Sequence, residues 1–329
     1  MSIRTDGIWI SEQREREIVK QLSEHIYGLG YIPTLTDQNN FGYPYGYKKD
    51  NTELYCRLVD SVFQPAPSCW SEDNAVIITD NHPLLPVPGK LISVLPEFWS
   101  IWRFIPQYID RPSTNGYNCF MNRVRGDRNE VFYELIKRNI LAQGIVSYNC
   151  NLDEFAQQFQ EAEMHRYQEQ HTVANMLIPY NTVEQHGTLE QCIIDSNISL
   201  ILETYLADSH IVFSEKIFRA LQIPRPWLLG CSPGAVALLK AHGFDVLDDY
   251  VDTAYDSITR QTERFQALLD QLETFINREY TRQDYERFDQ AATHNQQLLE
   301  KFAMDWPAKF NTILGEISHT LPSYHTKTG

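Results

Sequence analysis

Apolar positions in this chain fall into two rhythms. Short unbroken runs recur at Ala75–Thr79, Lys90–Val94, Tyr117–Asn122, Gly144–Tyr148, Ile198–Leu202 and Trp227–Leu229. Their length and lack of alternation predict strands covered on both faces, as in a parallel sheet. Between them, apolar residues stand three and four apart, the spacing of a helix with one buried face. That spacing predicts a helix over 11–28, with Ser11 as N-cap and Gly28 as stop. It predicts others through Val131, Leu135 and Ile136, over 152–176, through Ile217, Phe218 and Leu221, and over 256–277. A last helical stretch over 281–318 is expected to break at Pro307. The stretch NNFGYPYGYKKDN at 39–51 reads as a Tyr- and Gly-rich loop, and 244–255 as acidic and irregular.

Strands alternating with helices predict an α/β fold. The polar, proline-bearing segment 106–116 reads as a linker, which divides the chain into domains 1–112 and 113–329. The second domain carries the extra C-terminal helices as a tail.

Composition narrows the class. With 43% hydrophobic and 12% aromatic residues in 329, the chain can build a sizeable core. A formal charge of −15 argues against a broad surface for coating nucleic acid, while leaving room for a local basic groove. The six cysteines form no CxxC pair, so a zinc ribbon is not expected, and free thiols in a reducing cytoplasm are. No run reaches the length of a membrane span, and residues 1–20 are too polar for a leader peptide.

The candidate chemistry is concentrated in ISLILETYLADSHIVFSEKIFRALQIPRPWLLGCSPG, residues 198–234. Read as strand, loop, helix, strand, loop, helix, it brings Glu203, Glu215, Lys216 and the Gly230–Gly234 turn to the C-terminal edge of a sheet, where α/β folds bind ligands. Asp248-Asp249 invites a metal-binding reading, but its surroundings read as a solvated acidic face.

Leu202-Glu203-Thr204, Phe213-Ser214-Glu215-Lys216 and Gly230-Cys231-Ser232-Pro233, in that order, resemble the donor-binding core of the GT10-type α-1,3-fucosyltransferases. There an apolar strand with an F-E-N triplet precedes (V/I)-T-E-K, an amphipathic helix and a strand ending in G-(S/P)-P. RPWLLGCSPGAVALLKAHGF is nearer to the virus-encoded glycosyltransferase-like proteins of the same architecture. The family also places an Asn at a strand end and an Arg six positions on, as Asn122 and Arg128 stand in MNRVRGDRNEVFYEL. The resemblance covers roughly 117–260.

The resemblance implies two Rossmann-like domains facing a cleft (GT-B type), the first on the acceptor side and the second binding a UDP- or GDP-linked nucleotide sugar. It implies an inverting sugar transfer with no obligatory metal or cofactor. Arg128 and Lys216 would balance the diphosphate, Glu215 would take ribose hydroxyls, and Glu203 would face the donor sugar or hold the motif. Asn122, Ser214, Gly230 and Ser232 complete the expected donor site. Asp80 and His82, and after them Glu97, are the expected bases for the acceptor hydroxyl. That acceptor would be a glycan or a hydroxymethylated base in viral DNA, with Lys48, Lys49, Arg103 and Arg111 as the places for a basic groove. The rival expectation is a non-catalytic nucleotide- or glycan-binding module on a degenerate glycosyltransferase fold.

Overall fold

The structure, a computed structural model, describes residues 8–9, 11–29, 32–36, 44–49, 52–57, 75–79, 82–83, 90–93, 96–121, 126–148, 180–181, 187–203 and 210–320. In chain order the first elements are β1 (Ile8–Trp9), α1 (Ser11–Gly28), β2 (Ile32–Thr36), β3 (Pro44–Lys49), β4 (Thr52–Arg57), β5 (Ala75–Thr79), β6 (His82–Pro83), β7 (Lys90–Ser93) and β8 (Phe104–Ile105). Then come β9 (Asn115–Met121), α2 (Gly126–Lys137), β10 (Gly144–Tyr148), β11 (Tyr180–Asn181), α3 (Leu189–Ile194), β12 (Ser196–Leu202) and β13 (His210–Ile211). The last are α4 (Glu215–Leu221), β14 (Trp227–Gly230), α5 (Ala235–Ala241), α6 (Gln261–Ile276) and α7 (Arg282–Thr320). The chain divides into two units, one of 9–103, 207–214 and 297–329, the other of 1–8, 104–206 and 215–296.

In the first unit five strands form a sheet in the order β2-β3-β4-β5-β7. It is mixed: β2, β3 and β4 run antiparallel, and β4, β5 and β7 run parallel. Within the loop expected at 39–51, the described residues Pro44–Lys49 form a strand. This part pairs antiparallel with β4, Lys49 opposite Thr52, so that part of the Tyr-rich run is a paired strand. The helix α7 also departs from expectation, running unbroken for 39 residues through Pro307. Phe302 and Trp306 before the proline, and Phe310, Ile313 and Ile317 after it, are all buried, so one apolar face packs across the missing N–H. His25 Nε2 on α1 ties to this helix through Leu314 O (3.2 Å) and Ser318 Oγ (3.0 Å).

The second unit carries a five-stranded sheet in the order β11-β10-β9-β12-β14. β10, β9, β12 and β14 are parallel, and only the two-residue β11 runs the other way. This is an α/β fold with a Rossmann-like parallel sheet. Every residue of β12 is buried, as its unbroken apolar run requires of a central strand. Segment 106–116, expected as a linker, is held to the sheet instead. Thr114 and Asn115 N–H both donate to Asp195 O (2.8 Å each), Arg111 Nε donates to Asp195 Oδ1 (2.6 Å), and β9 already begins at Asn115. The helix α6 starts at Gln261 rather than 256, because 253–257 forms a tight 3-10 turn whose N-cap Asp252 accepts from Ala254 N–H (2.9 Å). The helix expected over 152–176 lies outside the described residues. Cys119, Cys192 and Cys231 are buried free thiols, and burial pushes the first two up to about 12. Among the described residues no helix is long and apolar enough to cross a membrane.

Candidate functional site

The strand order of the second unit defines a crevice. From β9 the chain passes to β10 on one side, crosses to β12 on the other side of β9, and continues outward to β14. The direction of winding therefore reverses between β9 and β12. At such a reversal the connections after two adjacent strands leave in opposite directions, opening a gap at their C-terminal ends.

Three of the expected donor residues converge there on Leu202, the last residue of β12. Arg128, on the first turn of α2, is 3% exposed, and its Nη2 donates to Leu202 O (3.0 Å). Glu203 follows Leu202, is fully buried, and donates its backbone N–H to Gly230 O (3.0 Å). Gly230 is the register partner of Leu202 across β12 and β14. A Cβ at Gly230 would lie 2.6 Å from Leu202 Cδ2, so any larger residue there must displace the Leu202 side chain. Ser232 is buried in the turn that follows.

Glu215 and Lys216 open α4 and pair with each other, Lys216 Nζ standing 2.7 Å from Glu215 Oε1. Burial raises the Glu215 carboxyl, but Lys216, the backbone and Arg219 together outweigh it and hold the group below its ordinary value. Ser214 is buried and belongs to the first unit. Asn122 and Asp80 lie outside the described residues. His82 stands on β6, whose backbone pairs antiparallel with β13 so that His82 faces Ile211 and Pro83 faces His210.

The turn after Gly230 has the outline of an anion seat, with Gly234 at φ +83° leading into the N-terminus of α5. The seat is already filled. Asp256 Oδ2 accepts from Ala237 N–H (3.0 Å), and its carboxylate is also bonded by the backbone of Val236 and Ala235. Burial pushes this carboxyl above the usual range, against the lowering by those N–H groups and Arg264. Arg264, 1% exposed, seals the turn from behind, with Nε on Cys231 O (3.1 Å) and Nη1 on Ile258 O (2.7 Å). The acids weighed for metal are likewise engaged: Asp248 pairs with Lys240, and Asp249 accepts from Arg287 Nε and Nη2 (2.8 and 3.0 Å).

At the opposite, N-terminal edge of the sheet a groove of about 560 Å³ is lined by residues including Ser113, Asn115, Asn197, Arg278, Tyr280 and Tyr285. Several of its polar groups are spent on the fold. Asn197 Nδ2 donates to the carbonyls of Phe275, Ile276 and Arg278 (3.0–3.1 Å), closing the C-terminus of α6, and Tyr280 Oη donates to Asn197 O (3.0 Å).

Sequence reasoning missed Asp256, Arg264, Asn129 and His210. Asp256 stands at the start of the helix expected over 256–277, and its partners are some twenty residues away. Asn129 and His210 carry no spacing signal; they stand out by burial, with Asn129 3% and His210 1% exposed. Burial holds the His210 imidazole below its ordinary value. No protein-family model, curated protein or solved structure matches this chain.

Proposed function

We propose that the second unit binds a nucleotide sugar at the β9–β12 reversal, and that the protein is a GT-B-type glycosyltransferase that transfers the sugar with inversion and without obligatory metal. The observation that carries this is the placing of Arg128: a cation buried at the C-terminal ends of two diverging parallel strands, beside Glu203. A leaving nucleoside diphosphate gains negative charge as the glycosidic bond breaks, and a fixed guanidinium with low exposure stabilises that charge more than an exposed one does. The acceptor side belongs to the first unit, with Asp80 or His82 as the base, and the acceptor is a glycan or a hydroxymethylated base of viral DNA. Of the cations weighed for a DNA groove, Arg103 lies 3.8 Å from Glu300 and Arg111 is paired with Asp195, which favours the glycan.

The Glu215–Lys216 pair favours a second reading, a non-catalytic nucleotide-binding module, because it spends on a carboxylate the charge that a diphosphate would need. Thermal melts with UDP, GDP and their sugars test the first step, since a ligand that binds only the folded state raises the melting temperature. Arg128→Met should abolish the shift. Slow donor hydrolysis then separates an enzyme from a module. Melts unmoved by every nucleotide would sink both readings.

A further inference from the structure

The first turn of α2 buries two polar side chains in succession, Arg128 and Asn129, each 3% exposed. Arg128 is anchored on Leu202 O. Asn129 is a different case, because neither its Nδ2 nor its Oδ1 has a hydrogen-bond partner among the described residues. Buried amides are almost always bonded, and one left bare is costly to the fold. One reason such a group is retained is that something outside the fold bonds it.

Its position follows from its neighbours. Phe132, one turn further along α2, stacks on Tyr148 with centroids 4.3 Å apart and planes 22° from parallel. Tyr148 is the last residue of β10. Since β9 and β10 are parallel, α2 runs back along them, with its N-terminus at their C-terminal ends. At 1.5 Å of rise per residue, Asn129 stands about 4.5 Å beyond Phe132 in the direction in which β10 ends. It therefore lies at the C-terminal edge on the β10 side, while Arg128 reaches across to β12. The two residues stand at the same C-terminal edge, on either side of the end of β9 and next to the reversal.

The bare amide restricts what can fill it. A phosphate oxygen accepts from Nδ2 but offers Oδ1 nothing, and an apolar group satisfies neither. A pair of neighbouring hydroxyls both donates and accepts. A nucleobase edge could do the same, but Asn129 is the residue next to the cation, and the hydroxyls of a sugar lie closer to a phosphate than a base does. We infer that Asn129 is a ligand-reading residue of this site that bonds a vicinal diol, on either the ribose or the transferred sugar of a nucleoside-diphosphate ligand whose charge Arg128 meets. This rests on the donor-site reading above.

The test uses the full chain, wild type and Asn129→Leu, in thermal melts and titrations with UDP, GDP, UDP-glucose, the 2′,3′-dideoxy forms of UDP and GDP, and inorganic pyrophosphate. The leucine variant should melt at or above the wild type when unligated, because the bare amide is gone. It should bind UDP-glucose, which carries a vicinal diol on both ribose and glucose, at least tenfold more weakly, with pyrophosphate unaffected. If the ribose is read, the dideoxy nucleotides bind wild type as weakly as the leucine variant binds UDP. If the transferred sugar is read, dideoxy and ordinary nucleotides bind alike and only UDP-glucose is sensitive to the substitution. Equal affinity of wild type and variant for every ligand overturns the inference and leaves the donor site standing. Absence of binding by wild type to all of them removes the donor site and the inference together. Asn129→Ala, a smaller change, gives the same comparison should the leucine variant fail to fold.

Discussion

Gly230 separates a phosphate-cradling turn from a packing requirement, and Gly230→Ala decides between them. The added Cβ would lie 2.6 Å from Leu202 Cδ2, 3.4 Å from Ile201 O and 3.6 Å from Phe265 Cε1. Carbon atoms in contact prefer about 3.5–4.0 Å, so the Leu202 methyl must retreat by about 1 Å. Leu202 is only 1% exposed and Phe265 2%, so there is little free space to retreat into. Overpacking of this kind costs about 1–3 kcal/mol, and the reduced freedom of the unfolded chain on replacing glycine returns about 0.4–1 kcal/mol. The expected net loss is about 1–2 kcal/mol, read as a lower urea midpoint at unchanged slope. The same substitution in a Leu202→Ala background, where the space has been vacated, should cost nothing. That coupling of about 1–2 kcal/mol lies within the range for residues in contact. A Gly230→Ala protein with an unaltered midpoint that no longer responds to UDP or GDP would refute the packing account and return Gly230 to the phosphate.

Asp256→Ala should cost about 1–3 kcal/mol by leaving the first N–H groups of α5 without their acceptor, and Asp256→Asn, which keeps an oxygen, should cost less in the same denaturant titration. Arg219 and Glu190 form a buried pair at 3.2 Å with 5% and 0% side-chain exposure, so Arg219→Met should lose about 3–5 kcal/mol, while the Arg219→Met/Glu190→Leu double variant should recover most of it. The Glu215 carboxyl is held below its unfolded value, so its contribution is present above the ordinary carboxylate range and disappears as pH falls through the folded pKa. Lys216→Gln should raise that pKa, seen by carboxyl-carbon NMR titration, and move the start of acid unfolding to higher pH.

The parallel sheet of the second unit was legible because its strands are buried on both faces, and burial of that kind writes an unbroken apolar run. β12 and β14 are read almost to the residue, and the structure adds to them only Ser196, Asn197 and Gly230 at the ends. The hairpin of β3 and β4 was not legible in the same way. PYGYKK carries neither an apolar run nor clean alternation, so nothing in it announces its pairing with β4. The helix through Pro307 was misread because the penalty for an internal proline is local, while the burial that offsets it comes from side chains on both flanks. The helix α3 was missed because it is six residues long, too short for a period to show, and is fixed by Thr188 Oγ1 accepting from Gln191 N–H (3.1 Å).

For the candidate site the limit is different in kind. Spacing brings Glu203, Gly230 and Arg128 to one sheet edge, because strand ends and helix starts follow from the apolar pattern. Whether a polar group at that edge is available to a ligand depends on what else has reached it. The turn from Gly230 to Gly234 has every local mark of an anion seat, yet Asp256 occupies it from a segment that no motif connects to it. Asn197 and Asn129 make the same point as a pair. Both are buried asparagines in the second unit, and the sequence gives no reason to treat them differently. Asn197 spends its Nδ2 on three carbonyls at the end of α6, while Asn129 has no partner for either amide atom among the described residues. A polar group whose donors are all taken by its own fold, as the amide of Asn197 is, is part of the scaffold. One buried without a bond retains binding capacity for a ligand, which is why the crevice beside Arg128 is the stronger candidate than the groove at the opposite edge.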